Sequence, residues 1–128
     1  MTPVEVPVEK WQGSVREVIL GASGGGGTRA STVTVGGETT LPFLHFEGAM
    51  PHRPVVAAEV TDVYPEDWSP ALLEALGDAA RDPAAWAKAA ADAGADLIAL
   101  KLRSAHPERG DAGAEACVAT VTAVLGAA

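Results

Sequence analysis

Two residues of opposite charge stand out for where they fall. Glu59 interrupts the apolar run Pro54–Val60 (PVVAAEV), and Lys101 interrupts Asp96–Arg103 (DLIALKLR). Each run reads as a short strand covered on both faces. Because side chains alternate along a strand, Val55, Ala57 and Glu59 point one way on the first. On the second, Leu97, Ala99, Lys101 and Arg103 share one face, opposite the more apolar Ile98, Leu100 and Leu102. The apolar faces should meet helices, which turns Glu59 and Lys101 together toward the other side as an ion pair. Such a pair could serve acid–base chemistry, ligand contact or architecture alone. Burying two charges often costs more than their attraction returns, so the pair marks specificity or a site without deciding between them. Asp62, just past the first strand, belongs to the same candidate cluster.

Other residue types offer less chemistry. Cys117 is the single cysteine, so the chain can hold neither a disulfide nor, by itself, an iron–sulfur cluster or structural zinc. It falls in an apolar helical pattern and reads as a buried core residue. His45, His52 and His106 lack the helical spacing with Glu that zinc enzymes use, so no metal site is assigned. Gly24–Gly27 form a run of four glycines. Without a following Gly-Lys-Ser/Thr or dinucleotide spacing, it reads as a mobile hairpin turn and not a phosphate cradle. Trp11, Trp68 and Trp86 lack interleaved basic residues and are expected to be packing anchors. No Ser/His/Asp grouping has the context of a nucleophile elbow.

Composition narrows the partners. The 128 residues carry a formal charge of −8, with four Lys/Arg against five acids in residues 1–53 and five against twelve in residues 54–128. That surface repels phosphate backbones, so nucleic acid is an improbable partner. No stretch has the roughly 18 unbroken apolar residues of a membrane span, and the N-terminus lacks a signal-peptide pattern. A cytoplasmic protein is expected.

The elements that must position these residues form two regions. In residues 1–53, Ser14–Leu20 and Ser31–Val35 are rich in β-branched residues and flank the glycine run, which predicts a β-hairpin followed by a connecting loop. In residues 54–128 the pattern is strand, helix, strand, helix. Asp82-Pro83 opens the first helix, with Trp86, Ala89, Ala90 and Ala93 as its apolar stripe and Gly94 as its stop. The second helix runs from Ala114 to about Leu125, with Ala114, Val118, Val121 and Leu125 along one face. Ser69-Pro70 starts a short helix inside the long link 61–81. Apolar strands alternating with helices predict a parallel sheet. The expected fold class is α/β: an N-terminal hairpin followed by the first two βα units of a TIM (β/α)8 barrel. A closed barrel needs eight units and about 250 residues, so residues 54–128 would be an incomplete domain and the chain an N-terminal fragment.

The string Gly-Gly-x-x-x-Leu-Pro-Phe, Phe-Glu-Gly and Arg-Pro within Val33–Val60 resembles the small (delta) subunit of the corrinoid iron–sulfur protein serving CO dehydrogenase/acetyl-CoA synthase. The resemblance continues upstream through Val15–Gly21 and the Gly-Gly-Thr-Arg at 26–29. Downstream it takes in Asp82–Leu102 and Cys117–Leu125. It implies a β/α-barrel subunit of the reductive acetyl-CoA pathway, paired with a large subunit that carries the iron–sulfur cluster and most corrinoid (cobalamin) contacts. Acetyl-CoA synthase and a folate methyltransferase would be transient partners. The role implied is support of methyl transfer from methyltetrahydrofolate through cobalamin, with no catalytic residue and no iron–sulfur cluster in this chain. Barrel geometry then makes Glu59, Asp62 and Lys101, with the 61–81 loop, the residues facing a corrinoid interface. Two other readings stay open: a fragment of another TIM-barrel enzyme using Glu59 and Lys101, and a truncated non-catalytic binding module.

Overall fold

In the computed structural model, which describes residues 3–23, 25–27, 29 and 31–128, the chain divides into two units, Met1–Pro54 and Val55–Ala128.

The first unit is built on a hairpin. Strand β1 (Val18–Leu20) pairs antiparallel with β2 (Val33–Val35), Ile19 opposite Thr34. The strands are shorter than the β-branched runs suggest. Gly36 and Gly37, at φ 89° and 83°, turn the chain out of extended geometry directly after β2. Two backbone bonds prolong the pairing beyond this kink, Val15 N–H to Glu38 O at 2.8 Å and Gly37 N–H to Val15 O at 3.0 Å. Of the connecting glycine run, Gly25 and Gly26 have positive φ, while Gly24, Thr28 and Ala30 lie outside the described residues. Thr40 is the one buried residue among those described in this unit, its hydroxyl donating to Leu44 O at 2.8 Å.

The second unit is a parallel β-α-β-α arrangement. Strands β3 (Ala57–Thr61) and β4 (Leu97–Lys101) pair in parallel, Glu59 opposite Ala99 and Thr61 opposite Lys101. Between them, α1 (Pro70–Leu76) begins at Ser69, whose hydroxyl accepts from Leu72 N–H at 3.4 Å. A 3-10 segment (Gly77–Arg81) leads into α2 (Pro83–Asp92). Asp82 caps α2 by accepting from Ala84 N–H at 2.9 Å, and Pro83 fills the first turn, where no amide is needed. Gly94, at φ 96°, reverses the chain beyond α2. Asp96 then accepts from Val56 N–H at 2.9 Å, tying the start of one strand to the other. Helix α3 (Ala114–Ala127) packs on α2, and α2 covers both strands.

The core lies where the apolar strand faces meet the helices: Val60, Trp86, Ala87 and Val124, lined by Trp68, Leu76, Ile98 and Leu100. Trp68 meets Trp86 edge to face at 5.2 Å, the arrangement an indole quadrupole prefers. Both helices are rotated from the faces their spacing suggested. On α2 the inward residues are Trp86, Ala87 and Ala90, while Ala89 and Ala93 are exposed; on α3 they are Cys117, Thr120, Val121 and Val124, while Ala114, Val118 and Leu125 are exposed. In helices so rich in small apolar residues, several stripes are nearly equal in hydropathy, so spacing alone cannot choose. Two single-residue expectations also change. Cys117 is half-buried, not buried, because it sits at the α3 edge with its thiol 3.9 Å from Ala112 O. Trp11 is 44% exposed and anchors no core, because its indole is turned to the Glu47 carboxylate.

The fold is thus mixed α/β, with two small sheets among the described residues. No described helix is long and apolar enough to cross a membrane.

Candidate functional site

The sheet face away from the helices carries Ala57, Glu59, Leu97, Ala99 and Lys101. Alternation puts every residue of this set on one side, and the small Ala57 and Ala99 leave the charged chains uncovered. Lys101 Nζ lies 2.5 Å from Glu59 Oε2, with the side chains 59% and 42% exposed. The pair is diagonal, since Lys101 stands opposite Thr61 and Glu59 opposite Ala99. Sequence alternation brought these two residues together correctly. Their exposure changes the energetics, because an ion pair open to water contributes little to stability and is screened by salt. Both groups therefore remain accessible.

Asp62 behaves differently. One carboxylate oxygen accepts from Ser104 N–H at 3.0 Å and the other from the Ser104 hydroxyl at 2.5 Å, while Asp62 N–H donates to Lys101 O at 3.3 Å. Asp62 follows β3 and Ser104 follows β4, so this contact clasps the two loops leaving the same end of the sheet. The neighbouring Thr61 is buried, and its hydroxyl donates to Val63 O. Farther out, Arg103 Nη1 lies 3.9 Å from Asp67 Oδ1, and the Arg81 guanidinium stacks 4.3 Å over the Tyr64 ring. The 61–81 loop is therefore held to the end of β4 at Asp62 and Asp67, and Arg81 on Tyr64 closes it on itself.

Sequence reasoning named Glu59, Asp62 and Lys101 and missed Ser104, the partner that defines what Asp62 does. A signal was available: Ser104 lies shortly behind the second strand as Asp62 lies directly behind the first, and parallel strands in register carry such positions to the same edge. Among the described residues no three His, Cys, Asp or Glu side chains converge as metal ligands would. The histidines are dispersed. His52 Nε2 lies 2.8 Å from Glu17 Oε2 in the first unit, His45 meets Phe46 edge to face, and His106 Nδ1 accepts from Glu108 N–H.

Fold and site thus describe a parallel α/β unit with a polar ledge at one end of its strands, preceded by a hairpin. Residues 17–127 match the family model described as CO dehydrogenase/acetyl-CoA synthase delta subunit, and the chain belongs to that family. It is 40% identical over 119 residues to the acetyl-CoA decarbonylase/synthase complex subunit delta of Archaeoglobus fulgidus, covering 91% of this chain and 26% of that one. The subunit of the same name from Methanopyrus kandleri is 35% identical over 117 residues, covering 90% of this chain and 29% of its own. That of Methanocaldococcus jannaschii is 33% identical over 105 residues, covering 81% and 25%. The chain spans about a quarter of the length of these curated relatives.

Proposed function

We propose that this chain is part of a delta subunit that works inside an acetyl-CoA-forming or acetyl-CoA-cleaving complex as a non-catalytic partner of a corrinoid protein. The observation that carries the reading is the family match across residues 17–127. Relatives named as subunits of an acetyl-CoA decarbonylase/synthase complex support it. In this reading β3-α2-β4-α3 are the first two units of an eight-unit β/α barrel, and the strand ends carrying Asp62, Lys101 and Ser104 face the mouth. The partner is a large subunit bearing the iron–sulfur cluster. A folate methyltransferase and acetyl-CoA synthase engage in turn.

The residues at the ledge suit the rim of a corrinoid. Lys101 offers ammonium donors and Glu59 carboxylate acceptors, the kinds of group that hydrogen-bond peripheral amides, and both are exposed. Asp62, which accepts from Ser104, positions the loop beside them. When bound, the corrinoid supplies a cobalt centre able to carry a methyl group. This chain's part is to orient and shield.

The test uses the complete natural subunit co-expressed with the large corrinoid subunit. Lys101→Ala and Glu59→Ala are expected to weaken assembly or shift the cobalt absorption bands, with the fold of each variant intact by circular dichroism. If both variants leave spectra and affinity unchanged, the ledge does not face the corrinoid. If the wild-type subunit does not associate with the large subunit at all, the partner assignment fails.

A further inference from the structure

Residues 3–14 form no strand or helix, and all of them are exposed. The Glu47 carboxylate ties them down at two points. Glu47 Oε1 accepts from Glu9 N–H at 3.1 Å, and Glu47 Oε2 accepts from the Trp11 indole N–H at 2.7 Å. The next tie is at Val15, whose backbone pairs with Gly37 and Glu38. Between these two attachment points Gln12, Gly13 and Ser14 bridge freely, and a Cβ at Gly13 would meet nothing within 4 Å. Trp11, Gly13 and Val15, with Thr39, Thr40 and Leu41, line an open, largely apolar cavity of about 280 Å³.

We infer that residues 9–14 are a hinged strap forming one wall of this cavity, with Glu47 as its latch and Gly13 within its hinge. The geometry has the parts such a device needs. The hinge end is fixed by main-chain bonds in which the Glu47 side chain takes no part. The latch end depends on the half-buried Glu47 carboxylate, whose two oxygens each accept one charge-assisted hydrogen bond. Water competes for both, so the latch closes the strap without locking it. The inference concerns the first unit alone and stands independently of any corrinoid role.

The test is made in the full natural chain, labelled with 5-fluorotryptophan for fluorine NMR and followed by amide hydrogen exchange. Trp11→Phe assigns the Trp11 resonance. In Glu47→Ala the Trp11 signal should move to the position of a solvated indole, and the Glu9 amide should exchange about tenfold faster, as loss of one charge-assisted bond implies. Protection at Val15 and Gly37 should persist, as should the Trp68 and Trp86 signals. Glu47→Gln, which keeps one acceptor oxygen, should fall between. The inference is overturned if Trp11 and Glu9 are unaffected by Glu47→Ala. It is equally overturned if Val15 and Gly37 lose protection together with them, because Glu47 would then hold the whole unit and not a hinged segment.

Discussion

Asp62 and Lys101 stand at the same end of the same sheet, yet substitution should cost very different amounts at the two. Asp62 satisfies a backbone amide and a hydroxyl at once. Asp62→Ala leaves the partly buried Ser104 donors without acceptors, a loss of about 1–3 kcal/mol. Urea unfolding of the variant should show it, together with faster exchange at the Ser104 amide. Lys101→Ala should cost less than about 1 kcal/mol, because its ion pair is largely open to water. A double-mutant cycle with Glu59→Ala checks this, and the coupling it returns should fall further as salt is raised. The charged pair was legible in the sequence because strand alternation is strict. The Asp62–Ser104 clasp was legible only in part: register carries both positions to one edge, but their contact depends on how two loops fold back over the strand ends, where no period constrains the chain.

At the level of elements, α2 shows what local signals do and do not specify. Its boundaries follow from chemistry written into the residues: Asp82 and Pro83 at the start, Gly94 beyond the end. Asp82→Ala should lower stability by about 1 kcal/mol through loss of the cap. Its orientation follows from packing. Trp86, 3% exposed, fixes which face turns inward, and Trp86→Ala should cost about 3–5 kcal/mol. Thermal or urea unfolding distinguishes the two magnitudes directly. Alanines at 84, 85, 87, 89, 90, 91 and 93 leave the rest of the stripe nearly degenerate in sequence, which is why Ala87 and not Ala89 proves to be the buried neighbour. The hairpin is the converse case. Its existence was legible in the β-branched runs, but its length is set by Gly36, where a Cβ would stand 2.1 Å from Arg16 O. Gly36→Ala should therefore loosen β1 from β2, seen as lost protection at Val15 and Gly37.

Across the whole molecule, stability should be distributed unevenly. The second unit gathers nearly all of the buried side chains, whereas the described residues of the first unit bury Thr40 alone. Native-state hydrogen exchange should find the slowest amides in β3 and β4 and little protection over residues 3–8. The division into a β-rich opening and an α/β remainder was visible in the composition of the chain, because the two halves follow different hydrophobic periods. The diagonal contact of Glu59 with Lys101 has one more consequence, for how the strands find each other. Strand β3 slipped by one residue would turn Glu59 inward against Trp86, while β4 kept Lys101 outside. The two charges thus act as a parity check on pairing, rejecting every odd-numbered misalignment before the helices can close over it.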